Sequence, residues 1–245
     1  MNYELFAENE LKQWQLQMLR RPGIFSRLSQ RTQAKINSYF PEKVHRGITT
    51  VIKQMIRGVL FGAKYTTSAP LLQIGLFERE AIVKEKINFY RSTAAIEGGV
   101  TGAGGFFLGL ADFPILLTLK LKLLYEIAAS YGFDLSDYKE RVYLLHIFEL
   151  AFSSREHSRK VYLKILDWET QSKKLPEDIN VFDWRSLQQQ YRDYLDLAKM
   201  AQLLPVIGAP VGIIANYTLI KKLGVTAMNA YRLRLLPYNR VVEGL

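Results

Sequence analysis

The chain has 245 residues, 49% hydrophobic and 23% charged, a balance that supports a sizeable core and excludes intrinsic disorder. It has no cysteine, which rules out disulfides and thiolate metal sites and matches a reducing cytoplasm. The formal net charge is +10, and between Arg20 and Lys64 ten basic residues stand against one acid, Glu42. Such a cluster suits an anionic surface: phospholipid headgroups, nucleic acid or an acidic partner.

The N-terminus carries early acids and no apolar run, so no secretory signal is expected. Apolar spacings of three and four predict helices along the whole chain, and no segment alternates long enough to demand a strand. Residues 3–20 form a first amphipathic helix with Leu5, Trp14, Met18 and Leu19, broken by Arg21-Pro22-Gly23. Residues 26–40 form a second, ended by Pro41. Residues 42–62 form a third, with a stripe of Val44, Ile48, Val51, Ile52, Met55, Ile56, Val59 and Leu60. A charged helix at 76–92 leads into a glycine-rich segment that ends near Asp112-Phe113-Pro114. Pro114 suits the first turn of a new helix, which runs to about Tyr131 with Gly132 as its C-cap. Helices at 135–152, 155–172, 183–204, 206–222 and 224–236 follow. No period of 20–50 residues appears, so no solenoid is expected. The expected fold is all-α: a single domain over 1–245, with basic amphipathic helices in 1–64 and a glycine-rich helical core in 76–236.

Gly98, Gly102, Gly105 and Gly109 recur at spacings of four, three and four, which on one helix places them on one face. Each costs about 1 kcal/mol relative to alanine, so close packing must offset them. Gly208 and Gly212, followed by Ala215, echo the pattern, and the two small-residue helices are expected to pack together centrally. Residues 201–220 are uncharged and residues 98–119 carry only Asp112, so both approach a membrane-spanning length of about 20 residues. Their glycines and prolines, and the cost of Asp112 at mid-bilayer, weigh against a span. Insertion remains an open alternative. On helix 42–62 the polar side offers Arg46, Lys53 and Arg57, the pattern of a helix lying on an anionic membrane. The alternative is a core-facing helix with a solvated basic side.

No nucleotide loop is present. Gly99 and Gly104 have the first spacing of a phosphate loop, but Gly105 stands where lysine is needed; Gly102-Ala103-Gly104 starts a dinucleotide fingerprint that Phe107 ends. The catalytic serine, zinc-protease and paired-cysteine motifs are also missing. Glu97, Asp112, Glu126, His146 and Glu149 are the one set that a helical bundle might converge on a divalent metal. Of these, Glu97, Asp112 and His146 are the weak catalytic candidates for a metal-dependent hydrolase; separate caps and ion pairs are the alternative. His157, among Arg155, Glu156, Arg159 and Lys160, is expected to be a solvated surface residue. No cofactor is expected. Nucleic acid is not the expected partner, because the basic region lacks a zinc finger or an RNA-recognition motif.

Ile96-Glu97-Gly98-Gly99, Gly102-Ala103-Gly104-Gly105, Leu110-Ala111-Asp112-Phe113-Pro114 and Ile127-Ala128-Ala129-Ser130-Tyr131-Gly132-Phe133-Asp134 together resemble the EcsC protein family. The resemblance covers roughly residues 20–240 and is strongest between 90 and 150. The family takes its name from the third gene of an operon whose first two genes encode the ATPase and membrane subunits of an ABC transporter. It carries over no catalytic residues. Gly132 is expected in a left-handed turn and Asp134 as the cap of the next helix. The resemblance and the charge pattern together imply a non-enzymatic accessory protein, peripheral at the inner face of the plasma membrane. Its partner is expected to be an anionic phospholipid surface, membrane transporter subunits, or both. The second expectation is a helical protein that handles a small apolar ligand or lipid, with small residues lining a channel.

Overall fold

The computed structural model describes residues 3–20, 42–62, 68–102, 105–187 and 209–236. They form α1 (Tyr3–Leu19), α2 (Glu42–Gly62), α3 (Leu76–Gly102), α4 (Gly105–Ser130), α5 (Tyr138–Phe152), α6 (Arg155–Leu166), α7 (Trp168–Lys173) and α8 (Ala209–Leu235). A further helix begins at residue 184, and no β-strand occurs among the described residues. The all-α expectation holds. The helices expected at 26–40 and over most of 183–204 lie outside the described residues.

The core is built around α5. Every residue of it except Lys139 and Glu140 is buried, as expected of a helix enclosed by others. It packs against α2, α4, α6 and α8. Asp137 starts it by accepting a hydrogen bond from the Lys139 amide at 2.8 Å. The cap is therefore Asp137 and not Asp134. Asp134 instead accepts from the amide and hydroxyl of Ser136, closing a local turn one step earlier.

The most extensive packing is between α3 and α8, followed by that between α3 and α4. Only two residues separate α3 from α4, and Lys86 meets Glu126 across the pair at 2.7 Å, so the two helices form a hairpin. The charged helix expected at 76–92 therefore continues to Gly102. Gly98 and Gly102 stand on α3, whereas Gly105 and Gly109 stand on α4. The one-face arrangement expected of a single helix is divided between the two arms. The surroundings of these four glycines and of Gly212 lie outside the described side chains, as does Gly208 altogether. Pro114 does not begin a helix either. It sits inside α4, where its missing N–H forfeits one helical bond, while Leu116, Leu117, Leu123 and Leu124 carry the helix onward by burial.

The expected break at 222–224 is also absent, because α8 is continuous through Gly224. A Cβ at Gly224 would lie 2.6 Å from both Cγ1 and Cδ1 of Ile87. This glycine lets α3 and α8 approach closely; it does not end a helix. Gly132 does what its position predicts. It takes φ +89°, and the Phe133 and Gly132 amides bond the Ala128 and Ala129 carbonyls, closing α4 in a left-handed Schellman cap. Arg79 then fastens the preceding loop there, donating to the carbonyls of Leu71, Leu72, Ile74 and Ser130.

Candidate functional site

Helix α2 divides its circumference into three faces. Ile52, Met55, Ile56, Val59 and Leu60 are buried, so the apolar stripe belongs to the protein core and cannot also enter a bilayer. Arg46, Lys53 and Arg57 recur at spacings of seven and four and all point to solvent, forming a second face. Between these two faces, Val51, Gln54 and Gly58 border a groove of about 360 Å³ against Leu117, Leu121 and Tyr125 of α4. Pro114, Thr118 and the exposed Lys122 complete its α4 wall. The groove is an open apolar slot with basic side chains beside it. Sequence reading placed the three cations, but not the slot, because α4 supplies half of it.

A second cleft, of about 650 Å³, lies between α1, α3 and α8. Beneath it the Glu80 carboxylate, fully buried, accepts from Arg232 Nε and Nη2 at 2.6 Å each, from Tyr3 at 2.6 Å and from Tyr131 at 3.0 Å. Burial alone would raise the Glu80 carboxyl, but the guanidinium and the two hydroxyls outweigh it and hold the pKa below the ordinary value. Arg232 also reaches Glu10 at 2.9 Å. One arginine thus ties α1, α3 and α8 together.

The candidate metal ligands do not converge. No group of three His, Asp or Glu side chains suited to a metal ion occurs among the described residues. The carboxylate oxygens of Glu126 are taken by Lys86 at 2.7 Å and Tyr90 at 2.6 Å. Glu149 is instead bracketed by two histidines, His146 Nδ1 at 3.0 Å and His157 Nε2 at 2.6 Å. Burial pushes the Glu149 carboxyl up, but the two imidazoles bring it down to about 2. His157 is therefore a buried partner of Glu149 and not the surface residue its charged neighbours suggested. It lies four and eight residues before Val161 and Ile165, on the buried face of α6. The side chains of Glu97 and Asp112 lie outside the described residues.

Lys120 on α4 went unnoticed in the sequence. It is fully buried, and among the described residues its Nζ hydrogen-bonds the Leu116 carbonyl and the Asn216 side-chain oxygen, each at 3.3 Å. Burial lowers its pKa to about 7. No helix of the described residues is long and apolar enough to cross a membrane.

The model of the EcsC protein family matches residues 7–236. The chain is 42% identical to protein EcsC of Bacillus subtilis (strain 168) over 228 residues, covering 93% of this chain and 94% of that protein. It is 33% identical to uncharacterized protein YdbA of the same organism over 156 residues, covering 63% and 55% of the two chains. No solved structure gives a significant match. The chain belongs to the EcsC protein family.

Proposed function

We propose that this EcsC-family member is a non-enzymatic accessory protein that docks on an anionic phospholipid surface at the cytoplasmic membrane face. The observation that carries the reading is the pairing on α2 of an exposed basic face with an adjoining apolar groove. Arg46, Lys53 and Arg57 supply long-range attraction to anionic headgroups, worth about 1 kcal/mol per cation near the surface and weakened by salt. The groove between α2 and α4 shelters an acyl chain of a bound lipid, with Lys122 beside the headgroup. Its volume of about 360 Å³ suits one small apolar ligand. Attachment is electrostatic and reversible, since the helix's own apolar stripe is committed to the core.

The test is charge reversal at Arg46, Lys53 and Arg57 combined, alongside Leu121→Glu in the groove wall. Loss of vesicle binding in the first variant and loss of fatty-acid binding in the second, both with unchanged circular dichroism, are the expected results. Vesicle binding equal to that of the unaltered protein after reversal of all three charges overturns the assignment and turns attention to transporter subunits as the partner.

A further inference from the structure

The cleft between α1, α3 and α8 is lined by cations and amides alongside its apolar wall. Lys84, Asn88 and Arg91 recur on α3 at spacings of four and three, and Lys221, Val225, Met228 and Arg232 recur on α8 at four, three and four. Such spacings align each set along the side of its helix that borders the cleft. The two helices present four cations and the Asn88 amide there, and α1 adds Asn9, Gln13 and Gln17. About 650 Å³ lies open beside the α3–α8 contact. Trp14, Ile87, Val225 and Met228 supply apolar wall.

The charges in and beneath the cleft do not cancel. Lys84, Arg91, Lys221 and Arg232 face two carboxylates, Glu10 and Glu80, and both of those bind Arg232. Among the described residues, the other three cations have no carboxylate partner. Lys84 donates to the Tyr3 hydroxyl at 2.9 Å. Arg91 donates to the Asn88 side chain at 3.1 Å and lies 3.8 Å from the Tyr217 ring centre, while its buried Nε has no acceptor among the described residues. Lys221 has no hydrogen-bond or ion-pair partner among the described residues. A net excess of two positive charges, ringed by amide donors, matches a dianion bearing several acceptor oxygens.

We propose that this cleft is a binding site for a phosphomonoester, with Arg91 and Lys221 holding the phosphate and the amides of α1 receiving the polar remainder of the molecule. The site is separate from the α2 surface and does not rest on it. The same chemistry reaches the cleft from a soluble metabolite or from a lipid headgroup such as phosphatidate, and two probes distinguish them. Calorimetric titration of the full chain with glycerol 3-phosphate tests the soluble source; phosphatidylcholine vesicles doped with phosphatidate test the lipid. Saturable binding of either probe is expected, with Lys221→Gln weakening it about tenfold and Arg91→Gln/Lys221→Gln abolishing it. Lys221 is exposed, so its single variant leaves the fold intact. Reversal of Arg46, Lys53 and Arg57 leaves glycerol 3-phosphate binding unchanged if the cleft is its site. No saturable binding of either probe, or equal binding by the cleft variants, overturns the proposal.

Discussion

Substituting alanine for Gly224 tests a close contact between α3 and α8. In an isolated helix this change stabilises by about 0.5–1 kcal/mol, because glycine loses more backbone freedom on folding. In this protein the new Cβ meets Cγ1 and Cδ1 of Ile87 at 2.6 Å and Cγ2 at 3.2 Å. Contact with both branches of a buried side chain cannot be relieved by swinging one methyl, so Ile87 or the helix axis must move. Overpacking of that kind costs about 1–3 kcal/mol, and the net effect of Gly224→Ala is a loss of about 1–2 kcal/mol. Ile87→Ala removes all three clashing atoms at its own cost of about 2–5 kcal/mol. In that background Gly224→Ala recovers its helix-propensity gain, so the coupling between the two sites is about 2–3 kcal/mol. Urea denaturation of the four proteins, followed by circular dichroism, measures the cycle. A Gly224→Ala variant more stable than the parent, or a coupling near zero, would show that the glycine merely interrupts a helix.

Three further perturbations address the buried polar groups. Arg232→Met strands the Glu80 carboxylate in the core and is expected to cost about 3–5 kcal/mol, whereas Glu80→Gln/Arg232→Met removes both charges and recovers part of that loss in the same denaturation assay. Because the folded Glu149 carboxyl is depressed to about 2, it contributes stability above its ordinary pKa of 4.5, and that contribution is lost as pH falls from about 4.5 to about 2. The loss amounts to about 3 kcal/mol, and Glu149→Gln should flatten that limb of the stability profile. Lys120 has the opposite sign. Its amine is depressed to about 7, so the unfolded chain binds more protons between there and about 10.5 and stability rises with pH across that window. Lys120→Met should remove the rise and stabilise the protein at pH 6; an unchanged slope between pH 7 and 10 contradicts the burial of this amine.

The elements that were legible in the sequence are those whose signal is local. The stripe of α2 predicted its buried side because spacing alone fixes which residues share a face. Gly132 announced the end of α4 because a left-handed cap needs no knowledge of the neighbours. A break between 222 and 224 was expected beside Gly224, whose close approach to Ile87, far away in the chain, has no local signature. His157 was misplaced for a related reason. Its adjacent charges describe the solvent side of α6, while its burial is set by Glu149 on another helix. The glycines at the α3–α4 junction were assigned to one helix because their spacing stays in phase from one helix to the next. Neither cleft was legible, since each is assembled from side chains of separate helices. The residues that border them were visible only as a basic face in one case and as an unremarked polar face in the other.

The central claim is that the protein meets the membrane through charge. Co-sedimentation of the purified chain with anionic and with neutral liposomes, at low and at high salt, tests it most directly. Binding confined to anionic liposomes and released by high salt is the predicted result. Failure to bind anionic liposomes, or binding that persists unchanged in high salt, contradicts it.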